Sequence, residues 1–379
     1  MGAATARREA NPVKYLNFNN QSKLNIQMKK ILFVMLAVLL ALPSMAQTVL
    51  RQDGMIFNLY APEGGTPYAE VSGNLLTELT AVTIPSVVSK DGIDYSVTAI
   101  VPKAFESCVY LTSVTIPNSV TTIGVTAFAS CSGLTTVSIP NSVTTIGNWV
   151  FYECRALTTV SIPNSVTTID GGAFENCSGL TSLSIPNSVT SIGSSAFSGC
   201  RSLTSLSIPN SVTSMGSSAF ASCSGLTSLS IPNSVTSIGS SAFENCSGLI
   251  SVSIPGSVTT IGSYAFRGCD NLVEVNYDTT EPVSADKYLF SDDTYRTATL
   301  NVAIGGLDKA YGTQPWMYFV NIKEKQFAGI EEVTADFDPN APVEVYNLSG
   351  EKVADNTDNL PAGLYIIRQG KTARKVAVK

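Results

Sequence analysis

The sequence predicts a solenoid built from stacked copies of one short unit, and three periodic features carry this prediction. Cysteine, phenylalanine and an Ile-Pro pair each recur at a step of 23 residues. The cysteines are Cys108, Cys131, Cys154, Cys177, Cys200, Cys223, Cys246 and Cys269, and the phenylalanines are Phe105, Phe128, Phe151, Phe174, Phe197, Phe220, Phe243 and Phe266. A step of about 23 residues lies within the range of leucine-rich repeats. We therefore expect a leucine-rich repeat-like solenoid, mainly β with one short helical turn per 23-residue coil, capped at both ends and followed by a small C-terminal β unit.

Each coil is expected to contain a strand, a turn, a second strand and a short helical turn. In one coil Leu203, Leu206 and Ile208 hold the first, fourth and sixth positions, a spacing that suits a short strand. Pro209 lacks the amide donor of a ladder and ends that strand. The second strand ends at Gly216, and the segment after it is long enough for about one helical turn. Since no single coil can bury its apolar residues alone, stacking in register must create the core.

Both ends of the chain depart from the repeat, which divides the sequence into segments. Within the first, irregular coil, residues 89–95 predict a protruding hairpin. The proposed segments are a mis-assigned upstream extension (1–27), a signal peptide (28–46), N-terminal cap strands (47–80), the solenoid (81–272), a C-terminal cap (273–325), a linker (326–342) and the small β unit (343–379).

Residues 28–46 have the features of a secretory signal peptide. Lys29 and Lys30 precede an apolar run, and Ser44 and Ala46 provide the small residues of a cleavage site. The apolar run is shorter than the ~20 residues of a membrane-spanning helix, which disfavours the alternative of an N-terminal anchor. The sequence therefore predicts a protein that is secreted or lies on the outer cell surface.

Charge and composition exclude several classes of function. The net charge is −6, and the chain contains no histidine. Because nonspecific nucleic-acid binding depends on clustered Lys and Arg, we expect no nucleic-acid partner. The missing histidine removes the general base of Ser-His-Asp and Cys-His systems. We therefore expect no enzyme, no catalytic residue and no cofactor.

The cysteine column has two interpretations, a disulfide framework and a row of free buried thiols. Eight cysteines in a secreted chain usually indicate disulfides. Stacking in register, however, holds neighbouring Cβ atoms about 5 Å apart, whereas a disulfide requires about 3.8 Å. A zinc site requires ligands that converge, and these cysteines form a line. Free thiols that act as small hydrophobic side chains are the better interpretation.

A hydroxyl array on the first strand of each coil is one candidate binding surface. Threonine also suits a solvated pleated sheet, so a purely structural role is the alternative. The array has no Tyr, Trp or Arg anchors, and binding there would depend on many weak contacts. Its candidate residues are Thr112, Thr115, Thr135, Thr158 and Thr181.

A second candidate lies in one copy of the predicted helical turn, where Trp149, Tyr152 and Arg155 cluster. Exposed aromatic side chains beside arginine are favoured at protein interfaces. The alternative is that Trp149 covers a locally altered coil in which Val150 replaces alanine.

The repeated string IPNSVTTIGxxAFxxCxxLTSVS resembles the BspA-like leucine-rich repeats of bacterial surface proteins over about residues 84–272. This resemblance implies a non-enzymatic surface protein that mediates adhesion by binding a protein or glycan ligand outside the cell, including host matrix proteins. The C-terminal tail is similar to the sorting domains of type IX secretion, through Gly363-Leu364-Tyr365 and a basic end. A plain β cap is the alternative for the tail. Two other functions stay open for the whole chain: a self-associating envelope protein, and recognition of glycan or ice surfaces by the Thr/Ser face.

Overall fold

Two short strands in each 23-residue coil build a β-solenoid, as the period predicts. The computed structural model describes residues 48–75, 78–327, 344–346, 352–354, 363–369 and 372–378. The first strands of the coils are β7 (Ser113–Thr115), β9 (Thr136–Ser138), β11 (Thr159–Ser161), β13 (Ser182–Ser184), β15 (Ser205–Ser207), β17 (Ser228–Ser230), β19 (Ser251–Pro255) and β21 (Glu274–Asp278). The second strands are β8 (Thr122–Ile123), β10 (Thr145–Ile146), β12 (Thr168–Ile169), β14 (Ser191–Ile192), β16 (Ser214–Met215), β18 (Ser237–Ile238) and β20 (Thr260–Ile261).

Strands of successive coils pair in parallel and in register. β7 pairs with β9 so that Val114 aligns with Val137, one period further along the chain. The second strands from β10 to β20 form one six-stranded sheet. Because every pair repeats the same step, inward-facing residues stack on their equivalents in the next coil. The buried Leu, Val and Ile side chains therefore form continuous columns through the core.

The third side of each coil differs from the predicted helical turn. Within the described coils this side consists of tight turns, and its residues two before and two after the phenylalanine have left-handed backbone φ values, such as +54° at Thr126 and +58° at Ser130. Alternate backbone amides of this side donate to the next coil and to their own coil. The amide of Phe128 donates to Val150 of the next coil at 3.0 Å, whereas that of Cys131 donates to Phe128 at 3.2 Å. In a helix all of these backbone amides would donate within their own coil. Here hydrogen bonds to the next coil take the place of some of the helical bonds.

The phenylalanine column and the cysteine column form the core beneath these turns. Successive rings from Phe105 to Phe266 are stacked, with centroids 5.2 to 5.6 Å apart. All eight cysteines are buried and free, which confirms the interpretation as thiols. From Cys131 onward, each thiol donates to the phenylalanine carbonyl of the preceding coil at 3.0 to 3.4 Å.

Six strands with mixed antiparallel and parallel pairing precede the regular coils. They are β1 (Thr48–Gln52), β2 (Met55–Tyr60), β3 (Tyr68–Asn74), β4 (Ala81–Thr83), β5 (Val87–Lys90) and β6 (Ile93–Ile100). β1, β2 and β3 pair in sequence order, and β3 then runs parallel to β6. β5 and β6 form the expected hairpin, with left-handed residues Asp91 and Gly92 at its turn. β4 pairs with β7 and so starts the column of first strands.

Aromatic side chains cover the last regular coil. The elements here are α1 (Asp292–Thr297), β22 (Thr299–Ala303), α2 (Leu307–Gly312), a 3-10 helix (Trp316–Tyr318) and β23 (Asn321–Lys325). β22 and β23 extend the sheet of β21. Phe290 continues the phenylalanine column above Phe266 at 5.4 Å, and Trp316 and Phe319 pack edge-on against Phe290. Trp316 is fully buried, so its role is in the core.

The chain's last strands form a separate four-stranded antiparallel sheet in the order β25-β24-β26-β27. These strands are β24 (Glu344–Tyr346), β25 (Lys352–Ala354), β26 (Gly363–Gln369) and β27 (Thr372–Val378). The predicted upstream extension and signal peptide, and most of the predicted linker, lie outside the described residues. Among the helices that are described, none has the length and apolar character needed to cross a membrane.

Candidate binding surface

The threonine array is exposed, but its hydroxyl groups already have partners. Thr135, Thr158 and Thr181 each donate to the backbone carbonyl of the equivalent threonine one coil earlier, at 3.1, 3.2 and 3.4 Å. Thr112 donates in the same way to Thr80 at 2.7 Å. Thr115 lies exposed at the end of β7. Four of the five predicted hydroxyls therefore hold neighbouring coils together, and their donors are not available to a ligand.

Serine hydroxyls at the turn after Ile-Pro act in the same way. Ser165 donates to the carbonyl of Val143 at 2.7 Å, and Ser188 donates to that of Val166 at 2.6 Å. These bonds recur at a constant offset of 22 residues. The hydroxyl-rich composition of the coils thus satisfies backbone acceptors along the solenoid, which is a structural role.

The repeat varies most on the turns, and Trp149 is the largest departure. Trp149 has a φ of +52°, a conformation unfavourable for a bulky residue, and it is 45% exposed. The equivalent residue of the next coil is Gly172. A Cβ atom at Gly172 would lie 2.3 Å from Cδ1 and Nε1 of the indole. The indole therefore lies directly against the backbone of the neighbouring coil, and the glycine at position 172 leaves room for it.

Charged and polar groups lie on the same turn as Trp149 and on the turns of the following coils. Arg155 pairs with Glu153 at 3.3 Å, and both side chains retain solvent exposure. Desolvation and the nearby carboxylates of Glu153 and Glu175 raise the pKa of the Tyr152 hydroxyl, so this phenol stays protonated at neutral pH. A depression of about 230 Å³ adjoins these residues. It is lined by Glu153, Arg155, Asn176, Ser178, Gly199 and Arg201.

We call this surface the turn edge, defined by Trp149, Tyr152, Arg155, Asn176 and Arg201. Of the three residues predicted on the helical turn, Arg155 lines the depression, whereas Trp149 and Tyr152 lie on the same turn outside its lining. The predicted threonines lie on a different segment of the coil. Arg201 and Asn176 were missed by the sequence reasoning. Arg201 occupies the same coil position as Arg155, two periods later. Comparing the residues at equivalent positions of the coils would therefore have identified it.

The described residues contain no group of three or more His, Cys, Asp or Glu side chains that could hold a metal ion. The carboxylates at the turns, such as Glu153 and Glu175, lie beside one another on adjacent coils rather than across a cleft. This surface presents an indole ring, a phenol ring, two guanidinium groups, and amide and carboxylate hydrogen-bonding groups.

Comparison with known families supports the architecture. The BspA type leucine rich repeat region matches in six copies, over residues 98–225 and 172–298, which together span more than half of the chain. The chain belongs to this family. Its repeats are those of the BspA type, as the sequence resemblance implied.

Solved structures of bacterial repeat proteins are similar to this BspA type chain. A leucine-rich repeat protein from Bacteroides ovatus is 24% identical, with 73% of this chain and 90% of that chain covered and a TM-score of 0.40. The leucine rich repeat protein of T. pallidum is 28% identical, covering 59% and 91%, with a TM-score of 0.40. A leucine rich cell surface protein from Faecalibacterium prausnitzii is 24% identical, covering 74% and 96%, with a TM-score of 0.36. A search of curated proteins finds no match.

Proposed function

We propose that this BspA type repeat protein is an exported, non-enzymatic adhesion protein that binds a protein partner outside the cell through the turn edge. The observation that carries the proposal is the exposed Trp149 held against Gly172. The left-handed φ of this position recurs in other coils, as at Thr126 and Ser195, so it belongs to the fold. What distinguishes Trp149 is its indole, a large aromatic side chain that is 45% exposed on the turn.

The composition of the turn edge supports a protein partner. Trp, Tyr and Arg are the residues enriched among binding hot spots, and Trp149, Tyr152 and Arg155 lie within one turn. Arg201 adds a second guanidinium beside the 230 Å³ depression. The indole and the phenol are rigid contact surfaces, which lose little conformational entropy on binding. Export is supported by residues 28–46 of the sequence, and host matrix proteins are the partner class that the family resemblance implies.

The hydrogen bonds of the threonine array disfavour the alternative function of self-association through that face. The hydroxyl groups that a second copy would contact already donate hydrogen bonds to backbone carbonyls of their own chain. These hydroxyl groups belong to Thr112, Thr135, Thr158 and Thr181. The same bonds disfavour recognition of glycan or ice by these hydroxyls. Sedimentation velocity of the purified protein tests self-association directly, because an envelope protein of that kind would associate without any added ligand.

The proposal is tested by binding of the protein from residue 47 onward to a panel of purified extracellular matrix proteins. Trp149→Ala and Arg155→Ala should each weaken binding at least about 30-fold, which corresponds to a loss of about 2 kcal/mol at a hot spot. Thr181→Ala is the matched control, because Thr181 is exposed on the threonine array and should leave binding unchanged. Equal binding by wild type and Trp149→Ala, or loss of binding in Thr181→Ala alone, would contradict the proposal.

A further inference from the structure

A second open cleft lies at the C-terminal end of the solenoid, away from the elements that form the turn edge. Its volume is about 500 Å³. Two of its aromatic rings face solvent, with Tyr288 46% exposed and Tyr318 41% exposed. We call it the tyrosine cleft. It is lined by Lys287, Tyr288, Asp292, Tyr295, Arg296 and Tyr318.

Packing behind the cleft fixes both exposed rings. Tyr288 stacks on Tyr264 of the preceding coil, with centroids 5.7 Å apart and planes 19° apart. Tyr318 meets the edge of Tyr295 at 5.7 Å. The Tyr295 hydroxyl in turn donates to the carbonyl of Lys287 at 3.1 Å and accepts from the amide of Phe290 at 3.3 Å. The two exposed rings are therefore held in place before any ligand arrives.

Groups of both charges border the rings. The ammonium of Lys287 lies over the Tyr288 ring, 4.6 Å from its centroid, and Tyr264 stacks on the same ring, so a ligand can stack on Tyr288 only when the exposed lysine side chain moves aside. The guanidinium of Arg296 pairs with Asp293 on the outer side of α1, and it keeps 67% of its side chain exposed. Asp292 begins the same helix and contributes a carboxylate to the lining. The cleft thus combines apolar ring faces with hydrogen-bond donors and an acceptor at its rim.

We propose that the tyrosine cleft binds a sugar ring of an oligosaccharide, independently of the turn edge. A pyranose has an apolar C–H face that can stack on an aromatic ring and a periphery of hydroxyl groups that both donate and accept. That pattern matches the ring of Tyr318, and that of Tyr288 once the Lys287 ammonium moves from the ring to a sugar hydroxyl, with Asp292 as an acceptor beside them.

Two other ligands that use aromatic sites fit less well. A quaternary ammonium would find the Tyr288 ring already covered by the Lys287 ammonium, and it carries no hydrogen-bonding groups for Lys287 or Asp292. A proline-rich peptide has few side-chain donors or acceptors, and it would cover Lys287 and Asp292 without replacing their bonds to water. A sugar supplies those bonds through its hydroxyl groups.

Affinity gel electrophoresis of the protein from residue 47 onward tests this proposal, with galactomannan, xylan, mixed-linkage β-glucan and polygalacturonate as separate gel additives. We expect at least one of these polysaccharides to retard migration. Tyr288→Ala and Tyr318→Ala should each weaken that retardation at least about tenfold, because each removes a stacking ring. Tyr318→Phe keeps the ring and should retain binding.

The controls separate this site from the rest of the molecule. Tyr311→Ala removes another exposed tyrosine, 51% exposed on α2 and outside the cleft, and should bind like wild type. Trp149→Ala should also bind polysaccharide normally, so loss of matrix-protein binding and loss of sugar binding are distinguishable. Thermal melting followed by circular dichroism establishes that each variant is folded.

Retardation by none of the four polysaccharides would overturn the proposal, as would unchanged retardation in Tyr288→Ala and Tyr318→Ala. Binding of a polyproline decamer that Tyr318→Ala abolishes would overturn the assignment of a sugar.

Discussion

At the scale of single residues, Cys108 differs from the other cysteines of its column. It is 9% exposed, whereas the other seven are fully buried. Hydrogen bonds to the Cys108 sulfur, from the Cys131 thiol when it turns from the Phe105 carbonyl and from the Asn74 amide, lower the pKa of Cys108 to about 7, against the opposing effect of burial. Burial raises the pKa of Cys154, Cys200 and Cys246 to about 12.

We therefore predict that iodoacetamide modifies Cys108 first in the native protein. The reactive species is the thiolate, so the rate at Cys108 should rise with pH through about 7 and then level off. Asn74→Ala removes one hydrogen bond to the sulfur and should shift this rise to higher pH. Mass spectrometry of chymotryptic peptides measures the order of modification, since cleavage after Tyr110 separates Cys108 from Cys131 and Cys154. Uniform labelling of all eight cysteines, or their recovery as disulfides, would contradict the structure.

The sequence shows why Cys108 could not be distinguished in advance. Its period predicts eight equivalent buried thiols, and the structure confirms that they are free and buried. The partner that changes Cys108 is Asn74, which lies 34 residues earlier and outside the repeat. Periodicity locates residues that recur, but it carries no information on contacts made only once, at the first coil.

At the scale of the turn element, Gly172 is required by the position of Trp149. Gly172 has a φ of +62°, and alanine there would be strained and would contact the indole ring. We predict that Gly172→Ala lowers the free energy of unfolding by about 1 to 2 kcal/mol, the cost of a left-handed residue with a side chain, and displaces the indole. Acrylamide quenching of tryptophan fluorescence should increase. Because Trp316 is fully buried, the increase reports on Trp149.

Ser195→Ala is the matched control for this prediction. Ser195 occupies the same position one coil later and has a similar φ of +56°, but the chain there has no neighbouring tryptophan. The control should leave quenching unchanged and stability within about 0.5 kcal/mol of wild type. Identical quenching in Gly172→Ala and wild type would show that the indole does not lie against residue 172.

The turns also show where prediction of elements from sequence was wrong. Ala219, Phe220 and Cys223 have a spacing that suits one helical turn, yet the backbone uses left-handed residues at Ser218 and Ser222 instead. The reason is not local. The amide of Phe220 donates to Ala242 of the next coil at 2.8 Å, and a helix would withdraw that donor from the stack. The Asn and Gly residues that recur two positions after the phenylalanine, Asn176 and Gly199 among them, were the available signal, since both residues tolerate positive φ.

At the scale of the whole molecule, the solenoid and its register follow from the sequence because one period fixes every neighbour contact. The hairpin of β5 and β6 was also predictable, from the longer first coil and from Asp91-Gly92. The binding surfaces were predictable only in part. Trp149, Tyr152 and Arg155 stand out as departures from the repeat, whereas the tyrosine cleft joins Tyr288 with Tyr318, residues of an aperiodic segment that only folding brings together.

The C-terminal segment provides the last prediction, because residues 273–323 close the open end of the stack. They contribute β21, β22 and the first three residues of β23, and Phe290 covers the ring of Phe266, which is fully buried. We predict that deleting residues 273–323 causes aggregation, since it exposes the unpaired edge of β19 together with the ends of the apolar columns.

Deletion of one interior coil, residues 203–225, is the matched comparison. The deletion joins the chain at equivalent positions of two coils. Cys200 and Phe197 therefore contact the same types of residue in the coil that follows. We expect this shorter protein to stay monomeric, with a circular dichroism spectrum of wild-type shape. Sedimentation velocity of both deletion variants at equal concentration distinguishes the outcomes. If the coil deletion aggregates while the deletion of 273–323 remains monomeric, residues 273–323 do not act as a cap. The burial of Trp316 and Phe319 would then require an explanation other than closure of the stack, because the apolar columns would be stable with their ends open to water.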